Sequence, residues 1–146
     1  MLNIDFLEEY KRLDHLCKDI LSSNDGISEY IRQMEEPQYS DCRFVNTWDD
    51  DYRQLKHMRW VRNKLTHEIG TLNSDICRED DIEWVKSFYN RIINTDDPLS
   101  AIRKSKEERA KQEKQKAAPN IQKNSPVQTL SAFWNKLVTN IKDFFS

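Results

Sequence analysis

Glycine is nearly absent from this chain, which has only 2 glycines among its 146 residues. A β-rich fold needs glycine in its tight turns, and a nucleotide-binding α/β fold needs it in the loop that holds the phosphates. Both classes are therefore disfavoured. Apolar residues instead recur at intervals of three and four, which is the spacing of one face of an α-helix, so the sequence predicts an all-α protein.

Cysteine is also scarce, and the three cysteines, Cys17, Cys42 and Cys77, lie far apart. None of them forms a closely spaced pair of the kind that makes half of a zinc site, so we expect no metal and no cofactor. The chain begins without a basic segment followed by an apolar run, and it has no apolar stretch long enough to span a bilayer. These absences predict a cytoplasmic protein with free thiols.

Charge is unevenly distributed along the chain. Residues 1–97 contain 13 lysines and arginines against 21 aspartates and glutamates, whereas residues 98–146 contain 10 against 4. This pattern indicates an acidic domain followed by a basic tail. An acidic domain repels nucleic acid in general, so any contact with RNA there must come from a local basic site.

Four amphipathic segments are predicted to be helices, at residues 5–21, 27–34, 49–69 and 80–95. They predict a helical bundle over residues 1–97. Residues 98–128 have the composition of a charged linker, either partly helical or disordered. Residues 129–146 show a clean helical stripe and predict a C-terminal amphipathic helix.

The stripe of this C-terminal helix is rich in aromatic side chains. Its main apolar residues are Phe133, Trp134, Leu137, Ile141 and Phe144. Such a cluster rarely stays exposed, so the helix is expected to dock on the bundle, to bind a partner or another copy of the chain, or to lie on a membrane surface. The opposite face carries only two lysines, which makes membrane attachment the less favoured of these alternatives.

The third predicted helix contains an arginine in an unusual place. Arg62 lies four residues after Met58 and three before Leu65, so the spacing predicts that it shares their apolar face. A buried arginine is costly unless it is paired or used in function. It could pair with Asp14 of the first helix, in which case His67 simply ends the third helix.

The segment from Arg62 to His67 resembles the R-x4-H motif of the HEPN superfamily (higher eukaryotes and prokaryotes nucleotide-binding). The motif stands, as in that family, at the end of the third of four helices, and residues 1–97 are similar to small uncharacterised bacterial domains of this type. The resemblance implies a four-helix HEPN-like bundle that forms homodimers. Many members are metal-independent endoribonucleases of toxin–antitoxin and defence systems, and others are inactive scaffolds.

The resemblance also implies roles for individual residues. Arg62 would hold a phosphate, because a guanidinium makes two parallel contacts to phosphate oxygens, and His67 would transfer protons to and from the 2′-hydroxyl of RNA. Asn63 lies four residues before His67 and would orient its ring. Five residues correspond to about 140° of helix rotation, so the pair is expected to converge across the two-fold axis of a dimer. The expected guides for the RNA backbone are Lys56, Arg59 and Lys64.

A second function remains open on the same sequence. The bundle could be a non-catalytic dimeric scaffold whose C-terminal helix recruits a protein partner, which the acidic charge of residues 1–97 favours. A small-nucleotide binder is a third class, but no phosphate-binding loop supports it.

Overall fold

The computed structural model describes residues 1–36 and 42–118 and confirms the all-α class. Five α-helices follow one another, and the described residues contain no strand: α1 (Leu2–Leu21), α2 (Ile27–Met34), α3 (Trp48–His67), α4 (Glu79–Ile93) and α5 (Pro98–Ala117). Two short 3-10 helices, Cys42–Phe44 and Thr71–Asn73, stand before and after α3. No helix in the described part of the chain is long and apolar enough to cross a membrane. The predicted C-terminal helix, with Phe133, Trp134, Leu137, Ile141 and Phe144, lies outside the described residues.

The core forms around α1, which packs against α4, α2 and α3. The buried face of α1 presents Phe6, Tyr10, Leu13 and Cys17, at intervals of three and four residues. Each large apolar side chain that is fully buried stabilises the folded state by about 1.5–3 kcal/mol relative to its exposure to water. The spacing that predicted the first helix is therefore the spacing that fills the core.

The corner between α1 and α2 depends on a glycine. Gly26 has φ +52°, and a Cβ placed on it would lie 2.1 Å from Asp14 Oδ1 and 2.8 Å from the Asp14 carbonyl oxygen. The same Asp14 Oδ1 accepts the backbone N–H of Ile27 at 2.9 Å, at the start of α2. Lys18 Nζ lies 3.0 Å from the other Asp14 oxygen. The Asp14 carboxylate therefore satisfies a helix N-terminus, as a capping side chain does.

A charged pair ties α3 to α4. Arg91 of α4 donates two hydrogen bonds of 2.7 Å to the two carboxylate oxygens of Asp51 on α3. Asp51 is 4% exposed, and this fork-to-carboxylate geometry is the one that best compensates a buried carboxylate. The Arg91 pair therefore fixes where α4 crosses the first half of α3.

The first turn of α5 belongs to the same core as α1 to α4. Leu99 and Ile102 are buried at 6% and 4% exposure. Asp97 precedes the helix, and its Oδ2 accepts the hydroxyl of Tyr30 and the backbone N–H of Ser100 at 3.3 Å. The compact unit that contains these residues spans residues 1–108.

A second unit comprises residues 109–146. Its described part, residues 109–118, continues α5 to Ala117 with every side chain exposed. The part of the proposed linker that the structure describes is therefore helical. A helix that is polar all round is stabilised by its own side-chain pairs and not by a core of its own.

Candidate functional site

The buried face of α3 does not include Arg62, which the spacing had placed on it. The core contacts run through Leu55, Met58, Val61 and Leu65, while Arg62 is exposed. Ile69 lies beyond the end of the helix and is fully exposed. The prediction of a buried-side arginine was wrong because the contact face shifts to Val61 in the last turns, and a stripe spaced by three and four drifts around a helix in this way.

Arg62 lies on the surface of the seam between α1 and α3. Its guanidinium carbon is 5.9 Å from the ring centroid of Tyr10, and its Nη1 donates to Asn63 Oδ1 at 3.0 Å. Burial, and then Asp14, raise the pKa of the Tyr10 hydroxyl, while Arg62 and Arg59 act in the opposite direction. Two cations therefore face one buried phenol at this seam.

The alternative pairing of Arg62 with Asp14 is not observed. The Asp14 carboxylate is engaged by the N–H of Ile27 and by Lys18. No hydrogen bond or ion pair joins Arg62 to a carboxylate within the described ranges. The guanidinium thus keeps most of its donors directed to solvent.

Asn63 and His67 do not contact one another in the way that the spacing suggested. The Asn63 amide oxygen accepts from Arg62, so this side chain orients the arginine and not the histidine. His67 is the last residue of α3 and is exposed, and among the described residues its side chain forms no hydrogen bond or ion pair. No contact joins Arg62 to His67 within one chain.

The end of α3 is held by a side chain that the sequence reasoning overlooked. The Thr71 hydroxyl lies 3.0 Å from the Lys64 carbonyl oxygen and 2.8 Å from that of Glu68. These are carbonyls of the last turn, which lack partners within a helix. Thr71 therefore holds the end of α3, where His67 is the last residue. Only the tertiary structure shows this role, because the chain turns back toward α3 after Gly70.

The three predicted RNA guides have different surroundings. Arg59 is partly buried, and its Nη1 donates to Ser28 Oγ at 3.4 Å. Lys56 Nζ lies 5.0 Å from the ring centroid of Tyr52, without a carboxylate partner in the described part of the chain. Lys64 Nζ lies 3.3 Å from Glu68 Oε1 and 5.1 Å from the Trp60 ring centroid. Arg59 and Lys56 are thus available to an anion, and Lys64 is partly neutralised.

A second histidine of α3 has a partner that its local sequence does not indicate. His57 Nε2 lies 3.3 Å from Asp81 Oδ1 of α4, and the His57 ring stacks on Trp60 with centroids 5.9 Å apart. The sequence does not indicate this contact, because 24 positions separate His57 from Asp81 and no spacing rule links the two.

Metal ligands do not cluster within residues 1–36 and 42–118, where no group of three or more histidine, cysteine, aspartate or glutamate side chains could hold a metal ion. No curated protein matches the chain, and no solved structure matches it. A family model does match, over residues 4–143. That match covers nearly the whole length, and the chain therefore belongs to a family of unknown function, DUF6548.

Proposed function

We propose that this chain is an HEPN-like protein that binds RNA at a dimer interface and cleaves it without a metal. The observation that carries the proposal is that Arg59 and Arg62 have no carboxylate partner among the described residues. By contrast, Arg12, Arg32 and Arg53 each form a salt bridge. In a domain where acidic residues are in excess, two neighbouring arginines kept away from carboxylates favour an anionic ligand such as a phosphate.

The chemistry needs few groups, since RNA carries its own nucleophile in the 2′-hydroxyl. Arg62 would stabilise the negative charge on the phosphorus oxygens, and its contact with Asn63 restricts the orientation of the guanidinium. His67 would transfer the proton, because histidine is the side chain that most often acts as a general acid or base. Arg59 would hold the neighbouring phosphate.

A dimer is part of the proposal because of the geometry of α3. Arg62 and His67 lie about 140° apart around a straight helix, and no contact joins them in one chain. Two α3 helices related by a two-fold axis would bring Arg62 of one protomer to His67 of the other. A two-fold interface uses the same surface on both subunits, so two equivalent sites would result.

The first experiment compares RNA cleavage in EDTA by the wild-type chain and by Arg62→Ala and His67→Ala. We expect cleavage by the wild type and loss of it in both variants. Arg12→Ala is the matched control, because Arg12 also lies over a tyrosine ring, that of Tyr89, but is paired with Glu9. Circular dichroism confirms that each variant is folded. Unchanged cleavage by folded Arg62→Ala would overturn the assigned role.

Mixing the two inactive variants tests whether the site is shared between protomers. A heterodimer of Arg62→Ala with His67→Ala keeps one intact composite site, so a randomised mixture should recover about a quarter of the wild-type activity. If the site lay within one chain, no heterodimer would contain an intact site and the mixture would stay inactive. A monomeric mass at micromolar concentration would contradict the dimer itself.

A non-catalytic dimeric scaffold is the second candidate function. The pairing of Lys64 with Glu68 favours it, because this pairing removes charge from the surface that would bind RNA. Residues 1–97 also carry 21 acidic against 13 basic residues. A stable dimer that neither binds nor cleaves RNA in any of the above assays would support the scaffold.

A further inference from the structure

A groove of about 510 Å³ opens between α3 and α4. It is lined by Asp50, Arg53, Gln54, His57 and Trp84. Its volume is within the range of about 300–1,000 Å³ that is usual for small-molecule sites. The lining combines an aromatic wall with side chains that donate and accept hydrogen bonds, which is the composition of a site for a polar, planar ligand.

The imidazole in this groove is positioned from a second helix. Asp81 is 8% exposed, and its Oδ1 lies 3.3 Å from His57 Nε2, while its Oδ2 accepts the backbone N–H of Arg78 at 2.9 Å. A carboxylate only accepts, so it favours a hydrogen on Nε2 and leaves Nδ1 as the nitrogen available to a ligand. Trp60 restricts the ring further, since the two rings lie within 19° of parallel.

Two indoles lie near this histidine: Trp60 stacks on its ring, and Trp84 lines the same groove. Trp60 is 50% exposed although it is one of the largest apolar side chains, and Trp84 lines the groove with one face stacked on Phe88 at a centroid distance of 4.9 Å. Exposed indoles offer stacking surfaces to nucleobases, and such stacking tolerates any base sequence. The ammonium of Lys64 lies 5.1 Å from the Trp60 ring centroid, so a base that stacks on that face would replace this contact.

We propose that His57, Trp60 and Trp84 form a base-binding subsite for single-stranded RNA, with His57 Nδ1 in contact with the edge of the base. The proposal rests on the proposed RNA function and adds to it which part of the RNA the protein recognises, namely an unpaired base. Arg59 and Arg62 would hold the phosphates, and this subsite would hold an unpaired base. The substrate is then single-stranded, because a base within a duplex cannot present its face to an indole.

The other histidine with an acidic neighbour shows what is particular to His57. His15 Nε2 lies 3.7 Å from Asp19 Oδ2, one helical turn away, and the two side chains are 77% and 67% exposed. That pair is a solvated surface contact within one helix, whereas His57 is held between two helices against a buried carboxylate. His15→Gln is therefore the matched control for His57→Gln.

Binding is measured with a labelled 2′-O-methyl oligonucleotide about 12 nucleotides long, which cannot be cleaved because its nucleophile is blocked. We expect Trp60→Ala to weaken binding by about fivefold or more, the lower range for loss of one stacked base. His57→Gln should weaken it as well, and His15→Gln should have no effect. A duplex of the same sequence should bind less tightly than the single strand. Wild-type affinity in both folded Trp60→Ala and His57→Gln would overturn the subsite.

Adenosine monophosphate, followed by NMR, separates failure of the subsite from failure of the proposed function. We expect it to shift the signals of the His57 ring and the Trp60 indole and to leave those of His15 unchanged. If the oligonucleotide binds through Arg62 while neither ring responds to either probe, the subsite is wrong and RNA binding stands. If the nucleotide shifts both rings but no oligonucleotide binds, the RNA function is wrong and the base site stands. If neither probe binds, both are overturned.

Discussion

Replacing Tyr30 by phenylalanine removes the hydrogen bonds that anchor the start of α5. The Tyr30 ring is fully buried, and its hydroxyl donates to Asp97 Oδ2 and accepts the backbone N–H of Leu99 at 3.2 Å. Asp97 is 1% exposed, and its Oδ1 has no hydrogen-bond partner among the described residues. Phenylalanine keeps the shape of the ring, so the change tests the hydroxyl alone.

The expected loss follows from the groups that stay buried. Without the hydroxyl, the Asp97 carboxylate keeps the N–H of Ser100 as a donor, and the N–H of Leu99 loses its acceptor. A hydrogen bond to a charged group contributes about 1.5–3 kcal/mol, and a buried orphaned N–H adds to the cost, so Tyr30→Phe should lower the free energy of unfolding by about 2–4 kcal/mol. At a urea m-value of about 2 kcal/mol/M, the midpoint falls by about 1–2 M.

Urea unfolding followed by circular dichroism at neutral pH measures this change. Tyr89→Phe is the control, since Tyr89 is only partly buried and no hydrogen bond of its hydroxyl is observed within the described ranges, and its change should stay within about 0.5 kcal/mol. A midpoint for Tyr30→Phe equal to that of the wild type, at the same m-value, would refute the reasoning.

Alkaline pH provides a second measurement on the same variant. Burial, and then the Asp97 carboxylate, raise the pKa of the Tyr30 hydroxyl well above its ordinary value of 10.0. The folded state therefore retains a proton that the unfolded chain releases. The stability that the protonated Tyr30 hydroxyl contributes is fully present below pH 10.0 and is lost as the pH rises above it. The free energy of unfolding should therefore fall less steeply above pH 10.0 in Tyr30→Phe than in the wild type.

Three further substitutions test two glycines at chain turns and the charged pair between α3 and α4. Gly26→Ala should cost about 2–4 kcal/mol, because a Cβ would lie 2.1 Å from Asp14 Oδ1 and φ is +52°. Gly70→Ala, with φ +82° and no atom within 4 Å of the Cβ, should cost only about 1 kcal/mol of backbone strain. Equal melting temperatures for the two variants would contradict this. Arg91→Ala should cost about 3 kcal/mol, because it leaves the Asp51 carboxylate, 4% exposed, without its two charged donors. An effect below about 1 kcal/mol in thermal unfolding would show that water reaches Asp51.

Sequence reasoning was most successful where periodicity alone decides the structure. Four helices were placed within a few residues of their observed bounds. Apolar residues spaced like Phe6, Tyr10, Leu13 and Cys17 lie on one face only when the segment is an α-helix. It was less successful at the composition change near residue 97. The charged segment suggested a linker, yet Leu99 and Ile102, two apolar residues in a polar context, are buried in the bundle.

The candidate site was likewise predicted from the sequence only in part. The residue types in the segment from Arg62 to His67, and their positions near the end of a helix, follow from the sequence. The contact of each residue does not follow from it, because pairing with Asp14 was left open for Arg62, which instead lies over Tyr10 beside Asn63. A one-residue shift of the contact face, from Arg62 to Val61, changed an expected buried charge into an exposed one.

By itself, the sequence determined that this protein is built of helices, since the spacing of apolar residues and the scarcity of glycine leave few other folds. The tertiary structure decided which polar groups meet. Asp14 at the start of α2, Asp97 at Tyr30 and Asp81 at His57 are all pairings between residues that are distant in the chain. Helical periodicity is a local property that a sequence carries directly. The partner of a buried charge depends on how the helices cross, and that is settled only when the whole core packs.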